Sequence, residues 1–156
     1  MRRVAPGLLC PKGSFWVGVG VMAADDVAFA REFRAEPASV PAIRQAVVGL
    51  ARRSGASAER CAEVAIAVSE AVTNAVVHAY IETAEPGTVR VTAAVLSGEL
   101  RLTIADHGRG MLPRTDSPGL GLGMPLISDL ATSFEFGDGD GGTVLRMSFA
   151  LDGPGV

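Results

Sequence analysis

Glu70, Asn74 and His78 fall at i, i+4 and i+8 in a stretch, Val64 to Tyr80, that contains neither Gly nor Pro. On a helix that spacing stacks the three side chains along one side. Val64, Val68, Ala71, Val72, Ala75 and Val76 take most of the remaining helix surface as core residues. The polar stripe therefore either faces solvent or lines a site, because burying it without partners costs about 1–3 kcal/mol per group. Asn is a poor helix former, which tilts the balance towards a site.

Three further segments carry candidate chemistry. Asp106-His-Gly-Arg-Gly110 follows an apolar alternating run. A carboxylate at a strand end can accept a hydrogen bond from an exocyclic amine, and the glycines Gly108 and Gly110 let backbone approach a planar ligand closely. A plain turn has the same composition. Gly119-Leu-Gly-Leu-Gly123 opens a helical pattern, so the exposed N–H groups and positive helix end suit an anion. Its G-x-G-x-G spacing, preceded by a loop, is not that of the dinucleotide-binding fingerprint. Gly141-Gly-Thr143 heads the final strand, where Thr143 either supports a ligand beside Asp106 or is there for its β-propensity.

The elements that must hold these groups read as follows. Phe29 to Ala35 suits a short edge strand with Phe29 and Phe33 on one side. Ser39 offers an N-cap, Pro41 sits near the first turn, and Ile43, Val47, Val48 and Leu50 follow at helical spacing until Gly55. Ser57 can cap the second helix, with Glu59 and Glu63 in its first turns. Glu85-Pro86-Gly87 marks a turn. Val89, Val91, Ala93 and Val95, then Leu100, Leu102 and Ile104, alternate about Ser97-Gly98 as a hairpin. A glycine-rich loop runs from Asp106 to Gly121, a short helix from Leu122 to Ala131, and a closing hairpin joins Phe134–Phe136 to Val144–Phe149. Helices early and hairpins late predict an α+β domain with the helices packed on one face of a sheet.

With 156 residues, 48% of them hydrophobic, the chain is expected to form one domain around a single core. A leader over residues 1–24, disordered or a start-site extension beginning ahead of Met22, is expected before the domain at 25–151 and a tail at 152–156. The formal charge of −3 gives no general attraction to nucleic acid or membrane. Two cysteines, Cys10 and Cys61, the second in an apolar helical pattern, point to a reducing, cytoplasmic setting. Lys12 is the only lysine, which excludes a P-loop and lysine Schiff-base chemistry in the patterned region. Any phosphates must be held by backbone N–H groups, a metal ion or Arg.

Taken in order, Glu-x-x-x-Asn on a helix, D-x-G-x-G after a strand, a glycine-rich helix start and a G-T strand resemble the N, G1, G2 and G3 boxes of the GHKL (Bergerat-fold) ATPases. The string Val68 to Tyr80 is similar to that of the bacterial anti-sigma-factor serine/threonine-protein kinases, with the likeness running from Phe29 to about Phe149. The resemblance implies a two-layer α/β sandwich with a mixed, mainly antiparallel sheet, ATP and Mg²⁺ as cofactors, and phosphorylation of an anti-sigma-factor antagonist coupled to control of a sigma factor. By the same resemblance Glu70 is the general base, Asn74 the Mg²⁺ ligand and His78 a group near the phosphates. Asp106 reads the adenine amine, with Gly108 and Gly110 at the base pocket and Thr143 in support. Gly119, Gly121 and Gly123 bring N–H groups to the phosphates, and Arg44 faces the sigma factor or antagonist.

Homodimers are common in that family and are left open by the sequence. One departure is the segment Met111 to Pro118, shorter than the usual lid, which puts turnover more than binding in question; Arg114 could act there as a charge clamp. Two alternatives remain beside the kinase: a binding module whose nucleotide state sets partner affinity, and a detached histidine-kinase catalytic domain. No dimerisation helix with a phosphoacceptor His precedes the domain in this sequence, which weighs against the latter.

Overall fold

Of the two long helices, the first begins without a side-chain cap and the second with one. A computed structural model of the protein describes residues 27–80, 87–107, 120–139 and 142–151. Helix α1 spans Ser39–Arg53, and its N-cap position is Ala38, with no side-chain capping bond. Ser39 is therefore not the cap but the first helical residue, 9% exposed. A preceding turn enters the helix directly, with Ser39 N donating to Glu36 O at 2.9 Å and Val40 N to Pro37 O at 3.2 Å. Pro41, third in the helix, lacks an N–H that would have had no intrahelical partner. At the other end Gly55 takes φ 94°, a conformation that ordinary side chains avoid.

Helix α2, Ala58–Tyr80, does begin at the expected cap: Ser57 Oγ accepts from Arg60 N at 3.1 Å. Arg60 in turn pairs with Glu63 at 2.6 Å along the same face. Both helices turn an apolar side inward, through Ile43, Val47 and Leu50 on α1 and Val64, Val68, Val72 and Val76 on α2.

They cover a five-stranded sheet made of β1 (Val27–Arg34), β2 (Thr88–Leu96), β3 (Glu99–Asp106), β4 (Ser133–Asp138) and β5 (Thr143–Ala150), in the order β1-β2-β3-β5-β4. All the described pairings are antiparallel, so the sheet lies at the wholly antiparallel end of the mixed, mainly antiparallel expectation. β1 lies at one edge, as its sequence suggested. Leu96 pairs with Glu99, leaving Ser97 and Gly98 as a two-residue loop with φ 51° and 75°. Positive φ at both loop residues matches the right-handed strand twist.

The period-two pattern of β3 is strict: Leu100, Leu102, Ile104 and Asp106 are buried and the residues between them are partly exposed. Leu145, Met147 and Phe149 of β5 join that buried set. Full burial of a large apolar side chain of this kind contributes about 1.5–3 kcal/mol. Helix α3, Leu120–Leu130, packs beside α2 and begins two residues earlier than the periodicity predicts, so Gly121 and Gly123 lie inside its first turns. The expected leader and tail lie outside the described residues.

Candidate functional site

Strand alternation does the first part of the positioning. Because Asp106 continues the phase of Leu100, Leu102 and Ile104, it belongs to the helix-facing side of the sheet. Asp106 is 7% exposed, and its carboxylate accepts from the backbone N of Thr143, the head of β5, at 3.4 Å. Gly142 makes that approach feasible. A Cβ there would lie 2.7 Å from the Asp106 carbonyl carbon and 2.8 Å from His107 Cα, and backbone cannot rotate aside as a side chain can.

The second part comes from α2. Asn74 stands over this end of the sheet and lines a cleft with Ala71, Ala75, Ile104, Asp106, Thr143 and Leu145. The walls are mainly apolar, with one carboxylate, one amide and one hydroxyl among them, a composition suited to a flat heteroaromatic ring bearing a donor. Glu70, one turn earlier, is half-buried beside α3: a Cβ on Gly123 would stand 3.1 Å from Glu70 Oε2 and 3.4 Å from Asn74 Nδ2. The polar stripe thus borders both the cleft and the first turns of α3.

The donor set fits a hard cation only in part on its own. Among the described residues no three His, Cys, Asp or Glu side chains group as a metal site. An Asn74 oxygen would be one ligand, with phosphate oxygens and waters completing the shell, the usual arrangement for Mg²⁺.

The remaining expected site residues are distributed as follows. Arg44 on α1 donates from Nη1 to Ser69 Oγ at 3.4 Å, which sets it against α2 next to Glu70 in sequence. Ser69 Oγ also donates to Ala65 O at 2.7 Å. His78 belongs to the last turn of α2, and its side chain lies outside the described residues, as do Gly108, Gly110, Gly119 and Arg114. Gly121 is the second residue of α3. Gly142 and the Ser69–Arg44 bond were not foreseen. The doubled glycine before Thr143 is the signal for the former, since a glycine at a strand end often marks close backbone approach; a serine inside a helix carries no comparable signal.

A family model described as a histidine kinase-like ATPase domain matches residues 33–149. The serine-protein kinase RsbW of Staphylococcus aureus (strain JH9) is 40% identical over 69 residues, 44% of this chain and 43% of the relative. The same protein of Staphylococcus aureus strain Newman matches with equal identity. The match thus spans less than half the length of these relatives. In fold, the chain is similar to the RsbU and RsbW domains of Rv1364c from Mycobacterium tuberculosis, with a TM-score of 0.62 and 24% identity over 79% of this chain and 31% of that one. It is also similar to the histidine kinase domain of the blue-light activated histidine kinase from Erythrobacter litoralis EL346, at TM-score 0.53 and 28% identity over 73% and 60% of the two chains. Among the described residues no helix is long and apolar enough to cross a membrane.

Proposed function

Since the chain belongs to the family of histidine kinase-like ATPase domains, we propose that it is an ATP-dependent serine/threonine-protein kinase of the anti-sigma-factor type, acting on an antagonist protein in the cytoplasm. The observation that carries this reading is the placement of Glu70 and Asn74, one turn apart, where the apolar cleft holding Asp106 meets the first turns of α3. The likeness to serine-protein kinases over 69 residues supports the choice of a hydroxyl acceptor.

In this reading the adenine ring lies between Ala71, Ala75, Ile104 and Leu145, its amine donating to Asp106. Mg²⁺, when bound, neutralises phosphate charge, and Asn74 is the residue that would hold it. Glu70 takes the proton from the acceptor hydroxyl. The hydroxyl oxygen forms a bond to the γ-phosphorus as the bond to the leaving ADP oxygen breaks. The base and metal ligand share one helix, so their separation is fixed before substrate arrives. Arg44, which donates to Ser69, takes the contact with the acceptor protein or the sigma factor in this reading.

Purified protein incubated with labelled ATP, Mg²⁺ and candidate antagonist proteins tests the assignment. Asn74→Ala is expected to lose Mg-ATP binding by calorimetry, and Glu70→Ala to keep binding while transfer falls by about 10²–10⁴-fold, the range for a general base. Undiminished transfer in Glu70→Ala removes Glu70 from the role. ATP binding without transfer by the wild type would favour a nucleotide-dependent binding module instead.

A further inference from the structure

The glycine at position 123 is not explained by phosphate binding alone. Counted from Leu120, Gly123 is the fourth residue of α3, past the positions whose N–H groups a helix leaves open at its start. Glycine is also among the poorest residues for a helix interior, so local propensity does not favour it there. Its surroundings do. Gly123 is buried, and the nearest atoms to a Cβ built on it are Glu70 Oε2 at 3.1 Å, Asn74 Nδ2 at 3.4 Å and Glu70 Cβ at 4.0 Å. The first of these is tighter than ordinary van der Waals contact, so any side chain there moves the Glu70 carboxylate.

We propose that Gly123 is a positioning residue for the general base: its missing side chain leaves the clearance that the Glu70 carboxylate needs where it sits. The proposal rests on the reading of Glu70 as base. A base must come within about 2.6–3.2 Å of the proton it removes, so a displacement of tenths of an ångström acts on the transfer step. Asn74 Nδ2, at 3.4 Å, stands at ordinary contact distance and is displaced less than the carboxylate, so the transfer step is affected more than nucleotide affinity. Alanine at 123 pushes the carboxylate by its tip; valine adds two methyl groups and pushes it further or parts α3 from α2.

The test uses the full chain with Gly123→Ala and Gly123→Val. The expected result is a transfer kcat lowered about ten-fold or more in Gly123→Ala and further in Gly123→Val, with kcat falling by a larger factor than the affinity for ATP in Gly123→Ala. Gly123→Ala added to Glu70→Gln is expected to cost nothing beyond Glu70→Gln alone, since both act through one carboxylate. The Glu70 side-chain carboxyl ¹³C signal of the unliganded protein is expected to move in Gly123→Ala. Unchanged kcat in both variants overturns the proposal, as does an equal loss of ATP affinity and transfer with the Glu70 signal unmoved. Should the wild type transfer no phosphate, the reading of Glu70 as base fails separately. A moved carboxyl signal then still upholds the seat at Gly123, and an unmoved one removes it.

Discussion

Glu99 opens β3 and Asp106 closes it, and their odd separation along the strand sends the two carboxylates to opposite faces of the sheet. On the face away from the helices, Arg101 Nε donates to Glu99 Oε2 at 2.9 Å and the Ser148 side chain hydrogen-bonds the same carboxylate. Burial pushes the Glu99 carboxyl up, but the Ser148 and Arg101 hydrogen bonds and the Arg101 charge outweigh it, holding the group below the usual carboxylate range. On the helix face, Asp106 meets a backbone N–H, and its neighbours across the cleft are Ile104, Leu145 and the Asn74 amide. One carboxylate is tied to side chains of its own sheet and serves the fold. The other meets a backbone N–H beside an apolar cleft, and in the proposed function it is the group that reads the adenine amine.

The contrast is open to direct attack. The largest effect is expected from Asp106→Ala, which removes a charged acceptor worth about 1.5–3 kcal/mol and so weakens ATP binding about 10- to 100-fold by calorimetry. Glu99→Ala in the same assay should leave affinity within about two-fold; a matching loss there would erase the distinction between the two ends. Gly142→Ala comes next. The new Cβ meets the backbone of Asp106 and His107, and forcing β3 and β5 apart should cost about 1–3 kcal/mol in urea unfolding, with weakened ATP binding beside it. A fully stable Gly142→Ala protein would show that the close approach does not fix the Asp106 end.

The smallest effect concerns Glu99 and pH. Its carboxyl is depressed in the folded state, so its contribution is complete above the unfolded-state pKa and disappears as pH falls through the folded one. Glu99→Gln should therefore lower stability at about pH 7 by no more than about 1 kcal/mol, and the gap to wild type should close towards about pH 3. A gap that persists in acid would assign the loss to packing rather than charge.

The sequence by itself determined the local geometry. Alternation through Leu100, Leu102 and Ile104 set which side of β3 is buried, and Asp106 in the same phase had to share it. The i, i+4 spacing of Glu70 and Asn74 required one helix side, and Ser97-Gly98 and Ser57 marked a turn and a cap that hold in the structure. These are short-range consequences of pleat, pitch and backbone torsion. Whether the polar stripe on α2 faced water or a site was not decided at that range. Only the tertiary structure sets Glu70 and Asn74 against α3 at Gly123, closes β5 onto β3 at Gly142 and seats Arg44 on Ser69. The sheet order β1-β2-β3-β5-β4 belongs with these, because inserting β5 between β3 and β4 depends on surfaces far apart in the chain. Such contacts arise from how closely two formed surfaces can approach, and no periodicity within either segment encodes that distance.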